Sequence, residues 1–599
     1  MDIDIERFIS NIDIFSNLTK EELNLLLSNA TLQEFAASQT VLKQGASNRT
    51  LYILNKGEAE VIFKDERGSK VTIAMLKEGD FFGEISILTG EPTVCEVNVK
   101  ASSKVIRIPV ESVSQVIMSN TFLLRQFAGL MAARLKEKET IQSSYLTQSA
   151  LSLKNDDPYD LYFSSATETM RILVINCGSS SLKYSLFDTS KKDTLFEGLI
   201  EKIGSEGSYH KIKTPKGKLE KSAEVKTIER AFEKMQEALT DPDSGALKRF
   251  DEINAVGHRV VHGGDKFSSS TAITDDVIDA IKQCITLAPL HNPYNLSGIE
   301  TMKRLLPNVA HVAVFDTAYH QTMPDYAYLY SIPYELYEKE HLRRYGFHGT
   351  NHHFVSLMCA VYLKLPLNEL KIITCHLGNG ASICAIEHGR SIDTSMGMTP
   401  LEGLVMGTRC GDIDPSLVVH MLNSGQTIKE IDTALNKSSG LVGVSAVSND
   451  MREILQAAEY GNKRAELAIS MFCYRIKKYI GSYITALGSA DALVFTGGIG
   501  ENSTEIRARV CQGLGSLGIV IDDELNRNAR AERGKPKEIS ISGKTKILII
   551  SADEERMIAR ETIRAMGRFE TNFHVKRFKE LSIPITPSPD HVHLSKADF

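Results

Sequence analysis

The spacing of apolar and polar positions changes period twice along the chain. "SNLTKEELNLLLSN" (16–29) carries Thr19 as a helix cap, Glu22 three residues later and leucines at helical spacing, which predicts a capped amphipathic helix. After Gln39 the pattern shortens to "TVLKQG", "TLYILNKGEAEVIF" and "KVTIAMLKEGDFFG", apolar runs broken by glycine. Such runs predict an antiparallel roll or barrel. From about Ser112 the helical period returns, and "TFLLRQFAGLMAARLKEKETIQ" (121–142) reads as one long amphipathic helix.

Residues 143–169 are polar and serine-rich with an Asp-Pro break, the pattern of a linker between domains. Beyond it, apolar strand candidates ("RILVINC", "AHVAVFD", "LKIITCHLGNG", "DALVFTGGIG", "TKILIISADEE") alternate with helical stretches such as 453–486. Strand and helix in alternation predict two α/β lobes with a cleft between them. The expected organisation is therefore multidomain. An N-terminal β-roll with flanking helices (1–142) and the linker precede a first lobe (170–320) and a second lobe (321–552). A return to the first lobe (553–585) and a flexible Pro- and Ser-rich tail (586–599) follow.

Composition narrows the class. A chain of 599 residues is too long for one core. With 42% apolar and 24% charged residues it has the make-up of a folded protein, and 69 basic against 75 acidic side chains leave a formal charge of only −6. No global field recruits nucleic acid or an anionic membrane. The nine cysteines include no CxxC pair and read as buried small residues in a reducing compartment. The acidic start "MDIDIERF" is no signal peptide, and no apolar run reaches 18 residues, so a cytoplasmic protein is expected.

Three glycine-bearing turns follow β-branched runs: "NCGSSSLK" (176–183), "HLGNGAS" (376–382) and "TGGIGEN" (496–502). Backbone amides in such turns cradle phosphates, although many glycine turns only supply positive φ. None matches a P-loop or a dinucleotide fingerprint. Arg259 in "GHRVVHGGDKF" and Arg409 in "MGTRCGDIDP" offer forks for carboxylate or phosphate oxygens; a salt-bridged strand residue is the plainer role for Arg259. Asp316, just past "AVF", suits Mg2+ binding or substrate orientation, or else an Asx turn. His348 and His376 stand beside glycines without metal-cluster spacing, and "SADEE" (551–555) is a second source of carboxylates. Together these residues point to Mg-nucleotide-dependent phosphoryl transfer with an undetermined acceptor.

Residues 170–585 then show a specific resemblance. "VINCGSSSLKYSLFD", "GHRVVHGG", "APLHNPYN", "VFDTAYHQTMP", "RRYGFHGTNH", "TCHLGNGASI", "TSMGMTPLEGLVMGTRCGDIDP", "FTGGIGEN" and "ADEERMIARET" resemble the acetate kinase family almost end to end. The resemblance implies lobes of the sugar kinase and actin type, a homodimer, and conversion of acetate and ATP to acetyl phosphate and ADP with Mg2+ or Mn2+. Asn176 and Glu554 match the metal and catalytic centre, and Ser179, Ser181 and Lys183 the first phosphate loop. Arg259 and Arg409 correspond to the arginines that hold carboxylate and transferring phosphoryl, Asp316 to the essential aspartate, and His348 to the histidine that steadies the phosphoryl group. His376, Asn379 and Gly380 fall on the second phosphate loop. Val261, Leu290, Phe347 and Pro400 match the pocket around the acetate methyl, and Asp450, Arg452, Gly498 and Ile499 flank base and ribose. The family often has an aromatic residue where this chain has Met451; a flexible thioether can still cover an adenine ring, so modest effects on nucleotide affinity or choice are expected. Other readings are a propionate or other short-chain carboxylate kinase and a catalytically weak, nucleotide-responsive scaffold.

Residues 8–140 resemble a cyclic-nucleotide-binding domain in the order of strands, glycines and the "FGEISILTGEPT" loop. The resemblance points to Gly83 and Glu84 as ligand contacts, Glu84 on the ribose 2'-hydroxyl. Nine residues past that glutamate the family has an arginine on the cyclic phosphate; here Thr93 stands there, and Lys43, Arg49 and Lys100 are the cations left to supply charge. A cyclic nucleotide, another small ligand, or a structural role are the alternatives. No helix-turn-helix follows, so DNA binding is not expected.

Overall fold

The computed structural model describes residues 3–119 and 157–567, apart from 11, 13, 14, 16, 17, 47, 65–69, 85, 86, 88–92, 94, 165, 167, 223, 290 and 542–544. The helix expected over 121–142, Leu290 and the tail 586–599 lie outside the described residues. The chain divides into two compact units, Met1–Thr147 and Gln148–Phe599.

In the first unit, Thr19 caps the helix Lys20–Leu27 as its spacing predicts, with Glu22 N–H donating to Thr19 Oγ1 and Thr19 N–H donating to Glu22 Oε2. The strands are β1 (Thr31–Phe35), β2 (Thr40–Leu42), β3 (Thr50–Lys56), β4 (Ala59–Lys64), β5 (Lys70–Leu76), β6 (Phe81–Phe82), β7 (Glu96–Val99) and β8 (Ser103–Pro109). They form two four-stranded sheets, β1-β8-β3-β6 and β2-β7-β4-β5. All pairs are antiparallel, because short strands joined by glycine turns reverse direction each time. Leu51, Ile53, Ile106 and Ile108 pack on one side with the helical leucines, and Leu54, Val97, Val99 and Val105 form a second cluster between the sheets.

The second unit holds two sheets of related order. The first joins β9 (Arg171–Cys177), β10 (Ser181–Asp188), β11 (Phe196–Glu201), β12 (Tyr209–Thr214), β13 (Gly217–Ser222), β14 (Ala255–Val260), β15 (Thr271–Ala272) and β16 (Ala310–Phe315) in the order β13-β12-β11-β10-β9-β14-β16-β15. The other joins β17 (Lys371–Leu377), β18 (Ala381–Glu387), β19 (Arg390–Thr394), β20 (Ala492–Thr496), β21 (Lys537–Glu538) and β22 (Lys546–Ile549) in the order β19-β18-β17-β20-β22-β21. In both, an antiparallel hairpin (β9–β10, β17–β18) leads through its first strand into two parallel strands.

The continuous apolar runs are strands buried on both faces. In β9, Leu173, Ile175 and Cys177 face a cluster with Phe232 and Met235 of the helix Ile228–Leu239, while Ile172 and Val174 face Ile558, Ala559 and Ile563 of the helix Glu554–Ala565. That last helix thus packs on the first sheet. It lies so close to β14 that a Cβ on Gly257 would stand 2.3 Å from Thr562 Oγ1. In β17 and β20, Ile373, Cys375, Leu377, Leu493 and Phe495 pack against the 25-residue helix Lys463–Leu487, and Ile372, Ala492 and Val494 against Gly349–Leu363.

The stretch read as a linker, 143–169, is described from 157, and there it belongs to the second unit. Asp157 accepts from Leu161 N–H and Tyr162 N–H, Leu161 and Phe163 are buried in two core clusters, and the Tyr159 carbonyl accepts from Arg560 Nε. The polar composition of the stretch hides four large apolar or aromatic residues with a core to join, so the folded block starts by residue 157.

Candidate active site

The ends of the parallel strands supply the first half of the site. Arg259 near the end of β14 and Asp316 just past β16 form a two-pronged ion pair, Nη2 to Oδ2 at 2.5 Å and Nε to Oδ1 at 3.2 Å. The adjacency follows from the parallel pairing of β14 with β16, and Asp316 N–H also donates to the Val260 carbonyl. Arg259 Nη1 donates weakly to Asn176 Oδ1 at 3.4 Å, and Nε lies 4.0 Å from Glu554 Oε2. Burial opposes the Arg259 charge, yet Asp316 and Glu554 outweigh it and raise the guanidinium further. Burial pushes the Asp316 carboxyl up and Arg259 pulls against it; burial likewise opposes the Glu554 charge, and Arg259, His376 and Lys183 bring that carboxyl below its usual value.

The other half comes from the second lobe. His348 takes a left-handed backbone, φ 56°, at the start of the helix Gly349–Leu363. Gly349 follows because a Cβ there would lie 2.3 Å from the Asp316 carbonyl oxygen, to which its N–H donates. The His348 ring stacks on His376 of β17 with centroids 4.2 Å apart, and Asn351 Nδ2 lies 2.7 Å from His376 Nδ1. A Cβ on Gly380 would stand 3.5 Å from His348 Nε2 and 3.6 Å from Arg409 Nη1, so the bare Gly380 backbone, the imidazole and the second guanidinium meet at one spot.

Charge distribution here is uneven. Arg409 is mostly buried, its Nη1 reaches only the Pro400 carbonyl at 3.4 Å and Met406 Sδ at 3.9 Å, and among the described residues it has no ion pair. Burial alone pulls its guanidinium down. Burial, then His376, His352, Arg259 and Arg409, hold His348 neutral, well below the usual histidine range. His291, from "APLHNPYN", is brought to about 4 by burial and by both arginines. Spacing gave no sign that His291 belongs to this group; its proximity to two distant arginines is tertiary.

The remaining buried histidines carry a pH consequence. His262 and His320 are fully buried and held to about 4 by desolvation. Between pH 6.5 and 4 the unfolded chain binds more protons than the folded one, so stability falls as pH falls through that window. Each accounts for about 2 kcal/mol at pH 5. Scanning calorimetry is expected to show the melting of the second unit already several degrees lower at pH 5 than at pH 7.5; a flat profile down to pH 5 would contradict it.

Other candidates distribute unevenly. Ser179 is exposed and Ser181 half-buried at the β9–β10 turn, closed by Gly178 N–H to the Ser181 carbonyl; Lys183 is committed to Glu555 at 2.5 Å. The exposed Asn379 joins the second glycine turn to neighbouring loops through Gly407 N–H and Asn449 Nδ2. Asp450 caps the helix Met451–Glu459 and pairs with Arg452, which lowers the Asp450 carboxyl. Gly498 and Ile499 open the short helix Gly497–Asn502. That turn is held by Glu501, missed in the sequence, whose carboxylate accepts from Gly497 N–H, Ala552 N–H and Ser551 Oγ. Met451 corrects an expectation. It is 4% exposed and packs with Ile454 and Phe472 in the core, so as a cap-adjacent helix residue it faces inward rather than over a base. Val261 and Phe347 are buried in one cluster, with Pro400 half-buried.

Residues 171–560 match the Acetokinase family, 65% of the chain. This chain belongs to the acetokinase family. An acetate kinase of Caldicellulosiruptor saccharolyticus is 50% identical over 401 residues, covering 67% of this chain and all of that one. Among solved structures, Porphyromonas gingivalis acetate kinase superposes with TM-score 0.63 at 47% identity, covering 66% of this chain and 100% of that one. A Francisella tularensis propionate kinase gives 0.61 at 45%, covering 66% and 99%. This acetokinase also carries a match to the Cyclic nucleotide-binding domain over residues 32–120.

In that front domain of the acetokinase chain, Glu84 is buried and the Gly83 carbonyl accepts from Asn48 Nδ2. Thr93 is turned into its own neighbourhood. Its hydroxyl donates to the Lys43 carbonyl and accepts from Ala46 N–H, and its backbone exchanges hydrogen bonds with Gly45 and Ala46. Arg49 is paired with Glu111 and Lys100 with Glu60. Among the described residues no helix is long and apolar enough to cross a membrane.

Proposed function

We propose that this acetokinase transfers the γ-phosphoryl group of ATP to acetate, reversibly, giving acetyl phosphate and ADP. The observation that carries the reading is Arg409: a half-buried guanidinium that has no carboxylate partner among the described residues and faces a neutral imidazole and a bare glycine backbone is an uncompensated positive charge placed for an anion. A carboxylate oxygen forms the new O–P bond while the bond from phosphorus to the β–γ bridging oxygen breaks, and the electron pair leaves with ADP. Acetate is already a nucleophile, so no proton has to be removed and Asp316 acts by fixing the Arg259 fork. Arg259 and Arg409 hold acetate and neutralise the oxygens of the group in flight, and His348 donates to one of them.

Asn176 Oδ1 and the Glu554 carboxylate are hard oxygen donors beside Arg259, and no group of three or more His, Cys, Asp or Glu among the described residues could cage a metal. That sparse set fits Mg2+ or Mn2+, which keeps waters and takes one or two carboxylates plus phosphate oxygens. When bound, the ion would draw charge from the nucleotide phosphates. Ser179, Ser181, Asn379 and Gly380 would line the phosphates, and Asp450, Arg452, Gly498 and Ile499 the nucleoside.

The test is acetyl phosphate formation by the full chain, trapped as hydroxamate, with acetate and propionate in competition. Acetate is expected to win, because the pocket of Val261, Phe347 and Pro400 discriminates one methylene by about 1–3 kcal/mol. Preference for propionate would favour the second reading, which the similarity to a propionate kinase keeps in view; no ATP-dependent product from either would overturn both. A homodimer and a cytoplasmic location remain part of the proposal, on the family resemblance.

For the front domain we infer a weak response to cyclic nucleotides. The hydroxyl of Thr93 is tied to residues 43–46, and two of the three substitute cations are paired at the surface. A charged contact to phosphate is roughly twice a neutral hydrogen bond. Kinetics of the full chain with 1 mM cyclic AMP or GMP, about the range where a neutral clamp leaves affinity, are expected to stay within two-fold of those without. A larger shift in KM or kcat would show that another group supplies the charge.

A further inference from the structure

Ser382 on β18 is fully buried and lies between two histidines. Its Oγ is 2.9 Å from His348 Nδ1 and 2.8 Å from His352 Nε2, and His352 Nδ1 is in turn 2.7 Å from Thr374 Oγ1 on β17. His352 and Thr374 are also fully buried. Burial above all holds both imidazoles neutral. Each ring therefore has one proton to donate and one lone pair to offer, and each hydroxyl has one proton. A hydroxyl can accept twice, but two rings donating to Ser382 would leave its own buried proton without an acceptor among the described residues, so two settings use every proton. In one, Thr374 donates to His352 Nδ1, His352 Nε2–H to Ser382, and Ser382 to His348 Nδ1, so that His348 carries its proton on Nε2. In the other every bond is reversed and Nε2 is a bare lone pair.

The choice between them follows from what Nε2 would meet when a phosphoryl group is bound. It is the ring nitrogen beside Gly380 and Arg409 Nη1, and among the described residues it makes no hydrogen bond. A lone pair aimed there would repel phosphoryl oxygens, whereas an N–H would donate to one. We propose that Ser382 is a positioning residue for phosphoryl transfer: the relay from Thr374 through His352 and Ser382 holds His348 in the tautomer whose Nε2–H points at the transferring group. The proposal rests on the reading of His348 as a donor to the phosphoryl group. Reach is long in sequence but short in space, since the hairpin β17–β18 and the helix Gly349–Leu363 bring all four side chains to one seam.

The experiment uses full-length Ser382→Ala, Ser382→Cys, His348→Ala and the Ser382→Ala/His348→Ala double variant, with steady-state acetyl phosphate synthesis and a thermal midpoint for each. Ser382→Ala is expected to lower kcat about 10- to 50-fold, less than the roughly 10²–10⁴ of a positioned acid or base itself because His348 stays in place, with KM for acetate and for ATP within two-fold. Ser382→Cys, a weaker donor of similar size, should fall between alanine and wild type, and keeps the comparison available if the alanine variant does not fold. In the His348→Ala background, Ser382→Ala should change kcat less than two-fold, because a group that acts through His348 has nothing left to position. Wild-type kcat for Ser382→Ala, or losses that multiply in the double variant, overturns the relay. Wild-type kcat for His348→Ala overturns the reading of His348 itself, and the relay with it.

Discussion

Replacing Arg409 by alanine is expected to lower kcat for acetyl phosphate synthesis by about 10³-fold or more, the scale of a single arginine on a phosphoryl transition state, while the thermal midpoint stays within about 3 °C. The two halves of this result have one cause. Arg409 is half-buried without an ion pair among the described residues, where its guanidinium's hydrogen bonds are a long one to the Pro400 carbonyl and one to the Met406 sulfur. Its desolvation is therefore uncompensated until an anion arrives, and removing it relieves the folded protein of a buried charge. Arg409→Lys should recover little, since an ammonium lacks the planar fork. Hydroxamate assays beside thermal unfolding check this, and near-normal turnover in the alanine variant would sink the assignment.

Arg259→Ala is expected to behave differently, losing activity on a similar scale and about 3–5 kcal/mol of stability as well. Asp316 is 1% exposed, and Arg259 supplies both of the charged hydrogen bonds that its carboxylate receives. Without the guanidinium, burial and the Glu554 charge raise the Asp316 carboxyl, already above its unfolded value, further still, opposed only by the long hydrogen bond from Thr350 Oγ1. The folded state then binds a proton that the unfolded chain does not, so the deficit is full at high pH and shrinks as pH falls through the raised value. The double variant Arg259→Ala/Asp316→Asn removes the stranded charge. It should regain most of the midpoint and none of the activity, which denaturant melts and turnover measured side by side would reveal; stability unchanged in the single variant would show that the pair does not hold the site together.

The strands of the second unit were legible because runs such as "RILVIN" and "ALVFT" are apolar at consecutive positions, the mark of a strand covered on both faces. Thr19 and Glu22 were legible because a capping box is a contact over three residues. The inward packing of Met451 was not legible, since its place between Asp450 and Arg452 says nothing of which way a helix turns it. Glu501 escaped notice because its partners at 551 and 552 are fifty residues away, and 157–164 because polar composition masked four residues that find a core only in the fold.

By itself the sequence determined the order of the two blocks and the glycine turns, and it named the charged residues proposed for the kinase site and Thr93 where the resembled family has an arginine, all of them local in the chain or carried by long family motifs. Only the tertiary structure decided that Arg259 is paired and Arg409, among the described residues, is not, that Thr93 is tied to the loop at 43–46, and that one serine hydroxyl lies between two histidine rings. The reason is physical. Local pattern reports what a segment of five to twenty residues buries, whereas charge compensation and proton placement depend on neighbours that sheet pairing and helix packing bring within 3 Å from thirty or more residues away.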